Sequence, residues 1–79
     1  MAIRFNEHVA DYIREKKWHD SQRIVELEDG GLELHLKLSS LAEIERWVLN
    51  WAGNAVVIAP PELIAMVKKS AEEILKNQV

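Results

Sequence analysis

The segment Leu32–Leu38 fixes most of what this chain can become. Leu32, Leu34, Leu36 and Leu38 alternate with Glu33, His35 and Lys37, and a period of two marks a strand with one buried face and one wet face. Upstream, Arg23-Ile24-Val25-Glu26-Leu27 is a second strand-forming run with two β-branched residues. Asp29-Gly30-Gly31 separates the two runs, and glycine accepts the positive φ of a tight turn. The two runs therefore form an antiparallel hairpin, and the rest of the chain must cover its leucine face.

With 79 residues the chain makes a single domain, 1–79. A domain this small buries only about 60% of its unfolded surface. That suffices for one sheet with two or three helices and leaves little room for a deep catalytic cleft. Helix one is predicted over Glu7–Lys17, with Asn6 as N-cap, Glu7 in the first turn, and Val9, Ala10 and Ile13 on one face. Arg14, Lys16 and Lys17 load its last turns with positive charge. Helix two is predicted over Leu41–Ala52. Ser40 with Glu43 forms a capping-box pattern, Leu41, Ile44, Val48 and Trp51 make the stripe, and Gly53 reads as the C-terminal cap. Short strands are expected at Ala2–Phe5 and Ala55–Ala59. Pro60-Pro61 stops the latter, and Pro61 suits the first position of helix three, which runs to about Asn77 with Leu63, Ile64, Val67, Ala71 and Ile74 as its stripe.

The order strand, helix, strand, strand, helix, strand, helix predicts an α+β fold. It is a ferredoxin-like βαββαβ sandwich whose four-stranded antiparallel sheet takes the order four-one-three-two, plus a C-terminal third helix. Helices one and two should cover the leucine face.

Composition excludes several functions. The net charge is −3, whereas nucleic-acid binding draws on clustered Lys and Arg, so direct contact with DNA is not expected. There is no cysteine, which removes disulfides, thiolate metal sites and a thiol nucleophile and fits a reducing, cytoplasmic setting. The start, MAIRFNEHV, lacks the pattern of a signal peptide, and no stretch reaches the ~20 apolar residues of a membrane span.

Catalytic chemistry finds no footing either. His19-Asp20 could suggest an acid/base pair, but adjacent side chains point apart, and a hydrogen-bonding role for His19 and Gln22 in the junction is the simpler reading. His8, His19 and His35 have no metal-ligand spacing. No phosphate-cradling loop follows Arg4, and Leu32–Leu38 lacks the stacking aromatics of an RNA-recognition sheet. No catalytic residue, metal or cofactor is expected. Of the three tryptophans, Trp51 falls on the core stripe, Trp47 at its edge, and Trp18 closes helix one. Core filling accounts for all three, and docking of Trp18 or Trp47 on a partner is the alternative. Arg4, Glu26, Glu28, Glu33, His35 and Lys37 are expected on a mixed-charge sheet face, either solvated or covered by a partner or effector.

The ordered landmarks resemble a known family. Lys17-Trp18-His19-Asp20-Ser21-Gln22 is similar to the "rxWHxSQ" signature of the C-terminal extension, the WCX domain, of WYL-domain transcriptional regulators. Asp29-Gly30 is similar to that family's hairpin turn. The run Glu45–Gly53, ERWVLNWAG, resembles its "eleRWiLgwG" helix. Ala55–Leu63, AVVIAPPEL, resembles its "aeVLxPxeL" joint, which includes Pro60 and Leu63. Two departures stand out. Ala52 interrupts the expected Trp-Gly after Trp51, and the third helix ends without the family's aromatic residue.

The resemblance implies a non-enzymatic regulatory module, the terminal portion of a longer bacterial regulator. A winged helix-turn-helix domain of the parent would contact DNA, and a WYL domain would sense a ligand. The extension itself would contribute to homodimer assembly and effector response. A stand-alone small-molecule-binding regulatory domain of the same fold is the alternative. A third helix that the four-stranded plan does not need could pack on its own domain or, with the strand Val56–Ile58, on a second copy.

Overall fold

In the computed structural model, which describes residues 1–37 and 39–78, the chain runs β1 (Ala2–Phe5), α1 (Ala10–Arg14), β2 (Arg23–Glu26), β3 (Leu32–His35), α2 (Leu41–Leu49), β4 (Ala55–Ala59) and α3 (Pro61–Asn77). The strands form one antiparallel sheet in the order β2-β3-β1-β4. Read from the opposite edge, this is the four-one-three-two order expected from the sequence.

The leucine alternation does what its period dictates. Leu32, Leu34 and Leu36 are buried on one side of the sheet beside Ile3 and Phe5. β3 is shorter than the expected strand, but Leu36 prolongs its ladder by accepting from and donating to Met1 (2.8 and 2.9 Å). Leu38 lies outside the described residues. The hairpin loop is Glu28-Asp29-Gly30, closed by Leu27 N–H donating to the Gly31 carbonyl at 3.0 Å. Gly30 has φ +89°, the left-handed residue that a three-residue hairpin loop requires. Gly31 answers a different need, because a Cβ there would lie 2.5 Å from the Phe5 carbonyl oxygen.

Covering the leucine face are Ala10 and Ile13 of α1, Val9 just before it, and Ile44 and Val48 of α2. α3 packs against β4 and α2 and adds the fully buried Leu63. Each buried Val, Leu or Ile side chain contributes about 1.5–3 kcal/mol by leaving water.

Several local expectations are corrected. Helix one is Ala10–Arg14 rather than Glu7–Lys17. Residues 7–9 form a turn in which Asn6 Oδ1 accepts the His8 N–H (3.0 Å). At the other end, side chains claim the carbonyls that continued helix would use. The Trp18 indole N–H donates to Ile13 and the Gln22 amide to Lys16. Helix two ends at Leu49 and is followed by a 3-10 turn over Ala52–Asn54. Its start at Ser40 is as expected, but the Ser40 side chain makes no capping bond. The left-handed residue after the helix is Ala52, φ +53°, not Gly53. The Ala59–Pro60 peptide is cis, and Pro61 occupies the first turn of α3 as expected.

Candidate functional site

The junction between α1 and β2 is a dense knot of short bonds. Gln22 Oε1 accepts the Trp18 N–H at 2.6 Å and the His19 N–H at 3.4 Å, folding the loop back on itself. His19 Nδ1 accepts the Ser21 N–H at 3.1 Å and lies 2.7 Å from the Ser21 hydroxyl. That hydroxyl also accepts the Lys37 N–H at 2.9 Å, tying the junction to the end of the β3 segment. Asp20 pairs with Lys17 at 3.2 Å instead of with His19. The His19-Asp20 acid/base pairing is therefore not formed. His19 and Ser21 do sit at a nucleophile-like distance, but no carboxylate orients His19 among the described residues. Four residues of the signature, Trp18, His19, Ser21 and Gln22, thus build a latch that fixes backbone.

The tryptophans gather on one side of Phe5. Trp47 and Trp51 meet its ring edge-on, at centroid distances of 5.5 and 5.9 Å. Trp18 lies 5.1 Å from Trp47 and 6.2 Å from Trp51. Such tilted and T-shaped pairs are the favoured aromatic geometry. All three indoles are half-buried and pack against the core, so core filling accounts for their placement. The Trp51 indole nitrogen is buried and finds no acceptor among the described residues. Between Trp18 and Trp47 lies a shallow cleft of about 190 Å³ floored by Leu36 and Ile44, with Glu43 and His19 on its rim.

The outer sheet face is sorted by register. Arg4 stands opposite Glu33, and Ala2 opposite His35. Val25 stands opposite Glu33, and Arg23 opposite His35. Glu33 is shared between Arg4 (3.5 Å) and His35 Nε2 (3.2 Å). Val56 and Ile58 of β4 complete this face and are 53% and 44% exposed. Glu26 does not belong to it. It pairs with Leu32, on the helix side, where the Arg14 guanidinium grips it at 2.6 Å while also holding Asp11. That hydrogen bond holds the Glu26 carboxyl below its ordinary value and raises Arg14 in turn. Glu28 lies in the hairpin turn.

Sequence reasoning missed Arg23 and Arg14. Once the register sets Ile24 opposite Leu34, strand parity places Arg23 and Val25 outward and Glu26 inward. Among the remaining motif residues, Asp29 Oδ1 accepts the Gly31 N–H at 2.9 Å, Pro60 supplies the carbonyl that starts α3, and Leu63 anchors that helix. Gly53 is exposed and open around its Cα.

Among the described residues no three His, Asp or Glu side chains converge as a metal site, and no helix is long and apolar enough to cross a membrane. A latch of backbone-directed bonds, a packed tryptophan cluster and an uncovered sheet face are the features that the described residues assemble. Comparison with curated proteins gives no match. The family model of the WCX domain matches residues 1–75, which include every motif placed above, and the chain belongs to the WCX domain family.

Proposed function

We propose that this domain is a non-catalytic regulatory module of a WYL-type transcriptional regulator, working in homodimer assembly and effector response, with DNA contacted only by the winged-helix domain of the parent. WCX membership supports the regulatory class, since this is a regulator-associated domain and not a known enzyme family.

The observation that carries the assembly half is the overhang of α3. A 17-residue helix is about 25 Å long, whereas the five residues of β4 span about 17 Å. Leu63 and Val67 pack on the domain and Ile64 is half-buried, whereas from Ala71 onward every described residue is exposed. Ile74 and Leu75 are 52% and 76% exposed. An apolar helix end held away from its own body suits reciprocal packing on a second copy. Sedimentation velocity over a range of concentrations tests this. A dimer that dissociates on dilution is expected, and a monomer at every concentration would contradict it.

A further inference from the structure

One end of the outer sheet face carries positive charge that the chain leaves unbalanced. Arg23 opens β2 and stands directly opposite His35 on β3. Lys37 follows His35 by two residues. Together with the residues Ser21, Leu36 and Met1 they line a concavity of about 420 Å³. Arg4, Arg14 and Lys17 each contact a carboxylate, whereas Lys16, Arg46, Lys68, Lys69 and Lys76 form no ion pair among the described residues and are not gathered in this concavity. Among the described residues neither Arg23 nor Lys37 forms an ion pair. With Glu26 on the other side of the sheet, the strand carboxylate on this face is Glu33, already shared between Arg4 and His35.

The position is also built. The Ser21 hydroxyl accepts the Lys37 N–H at 2.9 Å, which holds the backbone of Lys37 beside the start of β2. His35 uses Nε2 on Glu33 and keeps Nδ1 without a partner among the described residues. Two fixed strand ends therefore present a guanidinium, an ammonium and an imidazole to one hollow. This happens in a chain whose 13 acids outnumber its 10 Lys and Arg.

We propose that this hollow binds a compact oxyanion, the phosphate group of a small phosphate-bearing ligand. Arg23 supplies the planar fork that matches two phosphate oxygens, and Lys37 supplies a mobile point charge. A long polyanion is the poorer fit. Charge is felt over roughly 8–10 Å at ordinary salt, and beyond the hollow a strand of phosphates would meet the apolar Val25, Val56 and Ile58 and a net-negative domain. The inference does not rest on the proposed assembly through α3, since loss of dimerisation leaves the hollow intact.

The test is a heteronuclear NMR titration of the whole chain with inorganic phosphate at constant ionic strength, using sodium chloride as reference. Saturable shifts confined to the amides of Ser21–Arg23 and His35–Lys37 are expected. The exposed double variant Arg23→Gln, Lys37→Gln should weaken binding at least about tenfold while the rest of its spectrum stays unchanged. Shifts equal to those from chloride, shifts as large at Lys68 and Lys69, or an unaltered double variant would overturn the proposal. So would a single-stranded oligonucleotide binding more than a hundredfold tighter than phosphate, because the site would then read nucleic acid.

Discussion

The indole N–H of Trp18 donates to the carbonyl of Ile13 at 3.1 Å. This one bond ends α1, satisfies a carbonyl that the helix leaves open, and sets Trp18 against Trp47 in the aromatic cluster. Replacing Trp18 by Phe keeps a ring but removes the donor. A net loss of about 0.5–1.5 kcal/mol is expected from the missing bond, read as a lower urea midpoint. A variant as stable as wild type would mean that water replaces the indole at no cost.

Ala52 holds φ +53° at the position where the resembled motif has glycine. A left-handed conformation costs an L-residue about 1–2 kcal/mol, part of which glycine returns through its freer unfolded chain. Ala52→Gly should therefore stabilise the domain, by about 0.5–1 kcal/mol, visible as a raised melting temperature. The same change at Gly53 in reverse, Gly53→Ala, should be nearly silent, because no atom lies within 4 Å of the added Cβ. A destabilised Ala52→Gly would contradict this reading of the turn.

The two faces of β3 and its extension should respond differently to truncation. Leu36 is 3% exposed, and Leu36→Ala should cost about 2–5 kcal/mol. His35, on the outer face, is half-buried and hydrogen-bonds Glu33, and His35→Ala should cost well under 1 kcal/mol. Equal losses in urea melts would show the faces to be reversed.

How far the sequence could be read depended on whether the cause was local. The alternation of Leu32, Leu34 and Leu36 with polar neighbours is a local signal, and the hairpin and the face it buries follow from it, while the sheet order follows from the order of the elements and the handedness of their crossovers. The end of α1 is not local, since it depends on Trp18 and Gln22 reaching back to Ile13 and Lys16, and propensity had carried the helix on to Lys17. Glu26 was misplaced because Ile24 and Val25 are both apolar, which hides the parity of β2. The three-residue loop Glu28–Gly30 then sets the register that puts Glu26 opposite Leu32. Of the candidate surface, Arg4, Glu33, His35 and Lys37 were legible from the alternation. The concavity that unites His35 and Lys37 with Arg23 required the register between strands.

Glu26 gives the domain an acid-sensitive contact. The hydrogen bond from Arg14 lowers the Glu26 carboxyl below its ordinary value. A carboxylate depressed in the folded state adds stability that is complete above its unfolded pKa and is lost as pH falls through the folded one. The stability advantage of wild type over Glu26→Gln should thus be constant from neutral pH down to the ordinary carboxylate range and shrink below it. Both side chains are solvated, so the advantage is small. Urea midpoints of the two proteins measured in parallel across the acid range check this, and an advantage that grew on acidification would contradict the assignment.

The central claim is that the free end of α3 is an assembly surface. Ile74→Glu with Leu75→Glu tests it cleanly, because both side chains are exposed within the monomer and a charge there leaves the core untouched. Light scattering after chromatography should give a dimer mass for wild type and a monomer mass for the double variant, with unchanged melting of the diluted monomers. A double variant that stays dimeric, or a wild type that never dimerises, would contradict the account.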